Sequence, residues 1–399
     1  MRTGKALIGK SIFALATGVL LAGPCAAHPQ ARTIKISAFG ALTGPVRSFG
    51  INSRAALSAA SKRIDAAGGI RLADGSVGHF AITYDDDHCK PEDGMALLRA
   101  AAASDALVAI GPSCSSVAEP LYGILQHKVG DAQDAGLRIP VFTDGATKAD
   151  LARLSEWAFR NSPNETDMYA ALWKWVRTER PQLKTVFAGE EADFAHSHST
   201  LQNIISKEAA ANGLQLLGSV GWSINDTTFA EPAKAIDKAR ADVVVLSAHA
   251  QTTCGMLKQL AQQNLHPKLL VGLTSASNSE TLQLCGSEAE GLLIPTSFIA
   301  TTVETRAAAD AVRMEGGSAD LHSMAAWEIL YALKSAIERS GIVPAPQTVA
   351  ADRERLRETL SGLQSIPGLM GTIKRTSDRE SRKPFVLVQV KHGRWEIVS

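Results

Sequence analysis

Tyr84-Asp85-Asp86-Asp87-His88-Cys89 and Ile110-Gly111-Pro112-Ser113-Cys114-Ser115-Ser116 are the two stretches on which the fold of this chain is decided. Each sets a cysteine just past a short apolar strand, and the second adds a row of hydroxyls where a strand turns into a helix. In a parallel α/β sheet, ligands collect at the carboxyl ends of strands, where the free amides of helix N-termini point at negative groups. The two stretches together read as a disulfide-braced cradle for an anion, and a carboxylate-bearing ligand is the expected occupant.

Outward from these segments, apolar strands alternate with helical stretches along almost the whole chain. The spacing predicts strands over 33–39, 80–84, 107–110 and 139–143. It predicts helices over 92–103 and over 54–67, the latter stopped by Gly68-Gly69 as a left-handed terminator. A second run begins after Arg160-Asn161-Ser162-Pro163, with helix 165–179, strand 185–188, helix 199–211, strand 214–220, helix 231–240, strand 243–247, helix 253–263 and strand 268–273. The tail adds helical stretches near 304–314, 322–339 and 348–361, then strands over 385–390 and 395–398. Strands alternating with helices mark parallel sheets covered on their faces, so the expected class is α/β, and two successive runs predict two lobes. No repeat beyond the βα alternation and no low-complexity segment is present.

Length and composition fit that organisation. The chain has 399 residues, 45% of them hydrophobic, and 41 basic against 40 acidic residues, so its charge directs it neither to nucleic acid nor to membrane surfaces. Arg2, Lys5 and Lys10 precede an uncharged apolar run over 12–22 and the small residues of Pro24-Cys25-Ala26-Ala27. This is the pattern of a secretory signal peptide, 1–27, cleaved after Ala27. Pro24 stands where a lipid-attachment motif needs a small residue. No later stretch reaches the roughly 18 to 20 apolar residues of a membrane span, so an exported, periplasmic protein without direct membrane insertion is expected. Losing Cys25 leaves Cys89, Cys114, Cys254 and Cys285. An even count in an oxidising compartment favours two disulfides, Cys89 with Cys114 and Cys254 with Cys285, with buried free thiols as the alternative for either pair. Closing the loop between Cys89 and Cys114 is worth about 3 kcal/mol.

Enzyme motifs are missing: there is no Gly-x-Ser-x-Gly elbow, Walker loop, Gly-x-Gly-x-x-Gly or His-Glu-x-x-His. Neither catalysis nor a cofactor is expected. The best metal candidate, Glu190-Glu191-Ala192-Asp193-Phe194-Ala195-His196-Ser197-His198, reads as a solvated strand-to-helix loop, because His196 and His198 diverge if a helix starts there. Asp85-Asp86-Asp87-His88 likewise reads as a polar strand end. Trp157, Trp173 and Trp175 fit core positions, whereas Phe49 follows a Gly-rich strand-to-helix turn.

An ordered set of segments now carries a resemblance. Ala41-Leu42-Thr43-Gly44-Pro45-Val46-Arg47-Ser48-Phe49-Gly50, Ala66-Ala67-Gly68-Gly69-Ile70, Tyr84-Asp85-Asp86 with Cys89, Ile110-Gly111 with Cys114-Ser115-Ser116, and Asp144-Gly145-Ala146-Thr147 resemble the leucine/isoleucine/valine-binding protein family. These are the type I periplasmic solute receptors of ABC importers, and the likeness runs from about 34 to 293. It implies two doubly wound parallel-sheet lobes joined by a three-crossing hinge, near Asn161, near Thr296 and over 372–383. Lobe 1 would be 32–160 plus 296–375, and lobe 2 would be 161–295 plus 376–399. A monomer is implied, with a small-molecule ligand between the lobes and an ABC permease in the inner membrane as partner.

Residue by residue, the resemblance makes Ser115, with Ser116 beside it, the hydroxyl and amide that hold the ligand carboxylate. Thr147 grips the same head group, and the turn Gly145-Ala146 offers a backbone carbonyl. Phe49 and Phe194 fall at aromatic walls of the two lobes, and His249 falls at a second aromatic position of lobe 2. Thr274 is the departure, since amino-acid binders carry there a glutamate that pairs with the ligand ammonium. A buried ammonium without a carboxylate partner costs several kcal/mol. Either Asp144, Glu190, Glu191 or Asp193 substitutes, or the ligand has no ammonium, which suits an aromatic or aliphatic organic acid or a neutral amide. His249 would then meet a hydroxyl or a second anionic group. The expected function is delivery of a small carboxylate-bearing solute, an aromatic or other organic acid before all, to an importer. The alternatives are an amino acid or amide binder of the same importer class and a ligand-sensing receptor domain of the same fold.

Overall fold

The computed structural model describes residues 31–126, 136–148 and 150–399, with Met1, Gly4 and Gln133. The signal peptide expected over 1–27, including Cys25, otherwise lies outside the described residues. The first run comprises β1 (Ala31–Gly40), α1 (Arg47–Ala66), β2 (Ile70–Arg71), β3 (Val77–Asp86), α2 (Pro91–Ala103), β4 (Val108–Ile110), α3 (Ser115–Leu125), β5 (Val141–Thr143) and β6 (Ala158–Arg160). These strands form a sheet in the order β2-β3-β1-β4-β5-β6, parallel except for β2. The chain winds from β1 to β3 on one side and then to β4 on the other, so the order reverses beside β1.

The second run comprises α4 (Glu165–Glu179), β7 (Thr185–Glu191), α5 (Ala195–Thr200), α6 (Ser206–Ala211), β8 (Gln215–Trp222), α7 (Ala230–Ala239), β9 (Val243–Ser247), α8 (Ala250–Gln262), β10 (Leu269–Gly272), α9 (Ser279–Cys285) and β11 (Leu292–Thr296). A π-helical turn, Leu201–Ile205, joins α5 to α6. Three helices follow, α10 (Val303–Met314), α11 (Leu321–Ser340) and α12 (Val349–Gly362), then a small antiparallel sheet of β12 (Ser365–Gly368), β13 (Gly371–Arg375) and β14 (Ser381–Arg382). Finally β15 (Val386–Lys391) and β16 (Arg394–Ile397) close the second sheet, whose order is β16-β15-β11-β10-β9-β7-β8. Its β7 to β11 strands are parallel, and β15 returns antiparallel to β11. The chain thus leaves the first sheet after Arg160, leaves the second after Thr296, and rejoins it at Val386.

Short continuous apolar runs such as Val243-Val244-Val245-Leu246, buried throughout, form central strands because helices cover both faces of each sheet. Ile34, Leu57, Ile64, Trp327 and Leu330 pack one face of the first sheet against α1 and α11. Phe39, Leu98, Val117, Leu121 and Tyr122 pack its other face against α2 and α3. Ile224, from the loop after β8, joins this second cluster with Phe194 at its margin, so the two lobes touch. Helix α11 starts at Asp320, whose carboxylate accepts from the amides of His322 and Ser323, and stops at Gly341 in the left-handed conformation. Both disulfides are formed: Cys89 to Cys114, with Cα atoms 5.8 Å apart, and Cys254 to Cys285, 4.6 Å apart. Among the described residues no helix is long and apolar enough to cross a membrane.

Three boundaries differ from the spacing in ways that bear on the site. Helix α1 begins at Arg47 rather than 54, because Val46 and Phe49 bury against the cluster behind β1 and the Gly50 amide bonds back to the Ala41 carbonyl at 3.1 Å. Phe49 is therefore in the first helical turn and not in the preceding loop. Strand β7 runs on to Glu191 rather than ending at 188, since both glutamates find partners below. Helix α5 starts at Ala195, four residues earlier than the apolar periodicity indicated.

Candidate functional site

The carboxyl ends of both sheets face one another across the space between the lobes. At the end of β4, Gly111 has φ +117, and a Cβ there would lie 2.1 Å from the Phe39 carbonyl oxygen, so only glycine permits the turn into α3. Ser115 is the first residue of α3, which has no side-chain cap. The leading amides of a helix lack intrahelical acceptors and favour an anion. Ser115 Oγ accepts from the Lys148 amide at 3.2 Å, which leaves its own proton free to be donated. Under the cradle, Ser113 Oγ donates to Asp144 at 3.1 Å, and burial pushes the Asp144 carboxyl up. At Gly145 a Cβ would come within 2.9 Å of Ser113, which explains the glycine there.

The turn Gly145-Ala146-Thr147 is held from behind by Arg160, which is fully buried. Its Nε donates to the Ala146 carbonyl at 2.9 Å, and Nη2 donates to the carbonyls of Thr147 at 2.6 Å and Pro163 at 2.8 Å. Its Nη1 pairs with Glu380 at 2.5 Å, and the Arg160 carbonyl accepts from Ser381 Oγ. Asn161 next door donates to Glu328 at 3.2 Å, and Glu328 also holds the buried Lys383. The crossings at 160–163 and 380–383 are thus tied together and to the cradle.

From the second sheet, two buried carboxylates meet two histidines. Glu165, the first residue of α4, accepts from His196 Nε2 at 3.1 and 3.2 Å, from Thr200 Oγ1 at 2.9 Å and from Thr274 Oγ1. Burial alone would raise its carboxyl, but His196 and the two hydroxyls prevail and hold it at about 2. His196 Nε2 also lies 2.7 Å from Thr147 Oγ1, a direct bond from one lobe to the other. Glu191, at the end of β7, accepts from the His249 amide at 3.0 Å and from His249 Nδ1, Ser197 and Thr252 at 2.5 to 2.6 Å. Burial is again overcome, chiefly by His249, and the carboxyl is held at about 2. Phe194 stands edge-on to His249 at 4.7 Å, and Phe49 reaches across from α1 to within 5.5 Å of the same ring.

His196 links Thr147 of the first lobe, through Glu165, to Thr274, and its ring lies 5.7 Å from His249, which Phe49 and Phe194 flank. Gly145 and Ala146 contribute backbone, and Ser116 lines an adjoining cavity of about 350 Å³ with Ser115, Glu165, His196 and Thr200. Thr274 is fully buried, and its hydroxyl is spent on Glu165. Glu165 was not among the acids expected to replace the missing glutamate. Of those that were, Asp193 serves Ser223 and the Ile224 amide, Glu190 serves His198 and Gln202, Glu191 serves His249, and Asp144 lies beneath the cradle.

The solvated loop expected over 190–198 is corrected as well. His196 is only 9% exposed and sits in the cleft, because α5 begins early enough to turn it inward, while His198 points away to Glu190 at 2.9 Å. Among the described residues no group of three or more His, Cys, Asp or Glu side chains is placed to hold a metal ion. His322 escaped the sequence reading entirely. It is 2% exposed, and its ring lies 4.4 Å from Phe49. A histidine in the first turn of a long apolar helix carries no signal of its own.

A family model described as periplasmic binding protein matches residues 33–394. The leucine-, isoleucine-, valine-, threonine- and alanine-binding protein of Pseudomonas aeruginosa is 23% identical over 367 residues, which cover 91% of this chain and 92% of that protein. Among solved structures, a leucine-binding protein of Thermotoga maritima superposes with a TM-score of 0.77 at 16% identity, covering 92% of this chain and 98% of the other. An ABC transporter solute-binding protein of R. palustris, solved in complex with 4-hydroxybenzoate, superposes with a TM-score of 0.75 at 17% identity, covering 92% and 96%.

Proposed function

The chain belongs to the periplasmic binding protein family, of the leucine/isoleucine/valine-binding type, and on that premise we propose that it delivers a small organic acid lacking an α-ammonium group to an ABC importer. In this reading the protein is exported by its leader, works as a monomer, and closes lobe 1 (32–160 plus 296–375) on lobe 2 (161–295 plus 376–399). The carboxylate of the solute is taken by Ser115 and Thr147 with the leading amides of α3, between the walls Phe49 and Phe194.

One observation carries the choice of an acid over an amino acid. Both buried carboxylates of the cleft, Glu165 and Glu191, are already matched by histidines and hydroxyls, and Thr274, which the resemblance sets at the ammonium position, has its hydroxyl committed to Glu165. An ammonium brought there would be buried without a free carboxylate, at a cost of several kcal/mol. The likeness to the 4-hydroxybenzoate-bound receptor supports the same direction. The P. aeruginosa relative, named for amino acids, favours the other.

Matched pairs decide between them. Thermal shifts are measured with leucine against 4-methylpentanoate and phenylalanine against 3-phenylpropionate, since a ligand that binds only the folded state stabilises it by mass action. The deaminated member of each pair is expected to give the larger shift. A larger shift with the amino acid overturns the organic-acid reading.

A further inference from the structure

His249 and His322 present ring nitrogens that nothing in the protein satisfies. His249 Nε2 and both nitrogens of His322 are buried without a hydrogen-bond partner. Buried polar atoms in native proteins are paired as a rule, so orphans gathered at one place point to a partner from outside the chain. Phe49 brings these atoms together: its ring lies 4.4 Å from His322 and 5.5 Å from His249. The two histidines come from different lobes, His322 from the first turn of α11 and His249 from the start of α8, so they converge only when the lobes meet.

Each ring is fixed by its surroundings. His249 Nδ1 is held on Glu191 at 2.5 Å, which directs Nε2 away from that carboxylate. The His322 amide donates to Asp320 at 2.9 Å, and the other oxygen of Asp320 accepts from Asn52 at 2.8 Å, one turn beyond Phe49 on α1. His322 therefore belongs to a rigid helix start whose own polar needs are met, and its imidazole is left over.

We propose that His249 and His322 read a hydroxyl group on the solute at the end opposite its carboxylate, so that the ligand is a hydroxy acid. The proposal rests on the carboxylate reading above. Burial first, then His196 and His249 nearby, push His322 down to about 3, so its ring is an uncharged imidazole. Such a ring offers one N–H and one lone pair, which matches a hydroxyl that both accepts and donates. A second carboxylate would supply acceptors only and would lie near the ionised Glu165 and Glu191.

Calorimetry on the full chain tests this with benzoate against 4-hydroxybenzoate and 3-phenylpropionate against 3-(4-hydroxyphenyl)propionate. In the unaltered protein the hydroxylated member of at least one pair is expected to bind about 10-fold tighter or more, because a site built to bond a hydroxyl rejects the analogue that lacks it. In His322→Phe that ratio is expected to fall to about one, and in His322→Gln, which keeps a donor and an acceptor, to rise again. Should His322→Phe not fold, His249→Asn replaces it, since the amide nitrogen keeps the bond to Glu191 while Nε2 is removed. A hydroxyl preference absent from the unaltered protein, or retained in these variants, overturns the proposal. If none of the four acids binds while leucine does, the organic-acid reading falls and this proposal with it.

Discussion

Replacing Glu165 by glutamine attacks a fully engaged buried carboxylate of the cleft without changing its shape. Glu165 is 1% exposed and accepts from His196, Thr200 and Thr274. Its carboxyl is held at about 2 against an ordinary 4.5, and by linkage such a depression contributes about 3 kcal/mol at neutral pH. Because the folded-state value is the lower one, that contribution is complete above the unfolded value and disappears as pH falls toward about 2. Glutamine offers one acceptor oxygen and turns an NH₂ group toward donors, so little of the network is recovered. Urea unfolding at pH 7 is expected to show E165Q less stable by about 3 kcal/mol, in the range found when one partner of a buried pair is removed. Repeated at pH 4 and pH 3, the gap between the two proteins should narrow. Equal midpoints at pH 7, or a gap that does not shrink on acidification, would refute an ionised Glu165 held by His196.

Two further outcomes are expected. Ser115→Ala removes a charge-assisted hydrogen bond to the ligand carboxylate, so calorimetry with the most stabilising acid of the screen should show affinity weakened roughly 10- to 100-fold; an unchanged Kd rejects Ser115 as a cradle residue. Replacing Cys89 and Cys114 together by serine should lower stability by about 3 kcal/mol, and non-reducing peptide maps of the purified protein should recover both cysteine pairs linked, whereas free thiols would contradict the structure.

Most of the fold was legible because its signals are local. The helix over 165–179 and the strand over 243–247 were bounded correctly from apolar spacing and flanking breakers. The turn from β4 into α3 was legible for the same reason: glycine, serine and cysteine at a strand end form one contiguous word. Glu165, His196 and His322 were not, although His249 and Glu191 were named through the resemblance. Glu165 reads as an ordinary acidic first-turn residue, while its partners His196 and Thr274 stand 31 and 109 residues further along. His196 is hidden because apolar spacing starts that helix at 199, which leaves 196 in the preceding loop, whereas α5 begins at Ala195 and carries His196 buried in its first turn. The extension of β7 to Glu191 was hidden because two glutamates end an apolar run in sequence, although paired with His198 and His249 they continue the strand. The small β12–β14 sheet has no periodicity of its own and exists by packing against α11.

Arg160 sets a rule for anyone who would rebuild this receptor. Its guanidinium joins the carbonyls of Ala146 and Thr147 to Glu380, more than two hundred residues along the chain. A chimera that exchanges one lobe for that of another receptor must therefore carry Arg160, the 146–147 turn and Glu380 as a single cassette. Transplanting the turn without its distant acid would strand a buried cation and leave the turn without its support from behind. The same connection makes the 376–380 segment a handle on that turn and, where the turn holds ligand as proposed, a place where a reporter group can be coupled to occupancy without standing in the way.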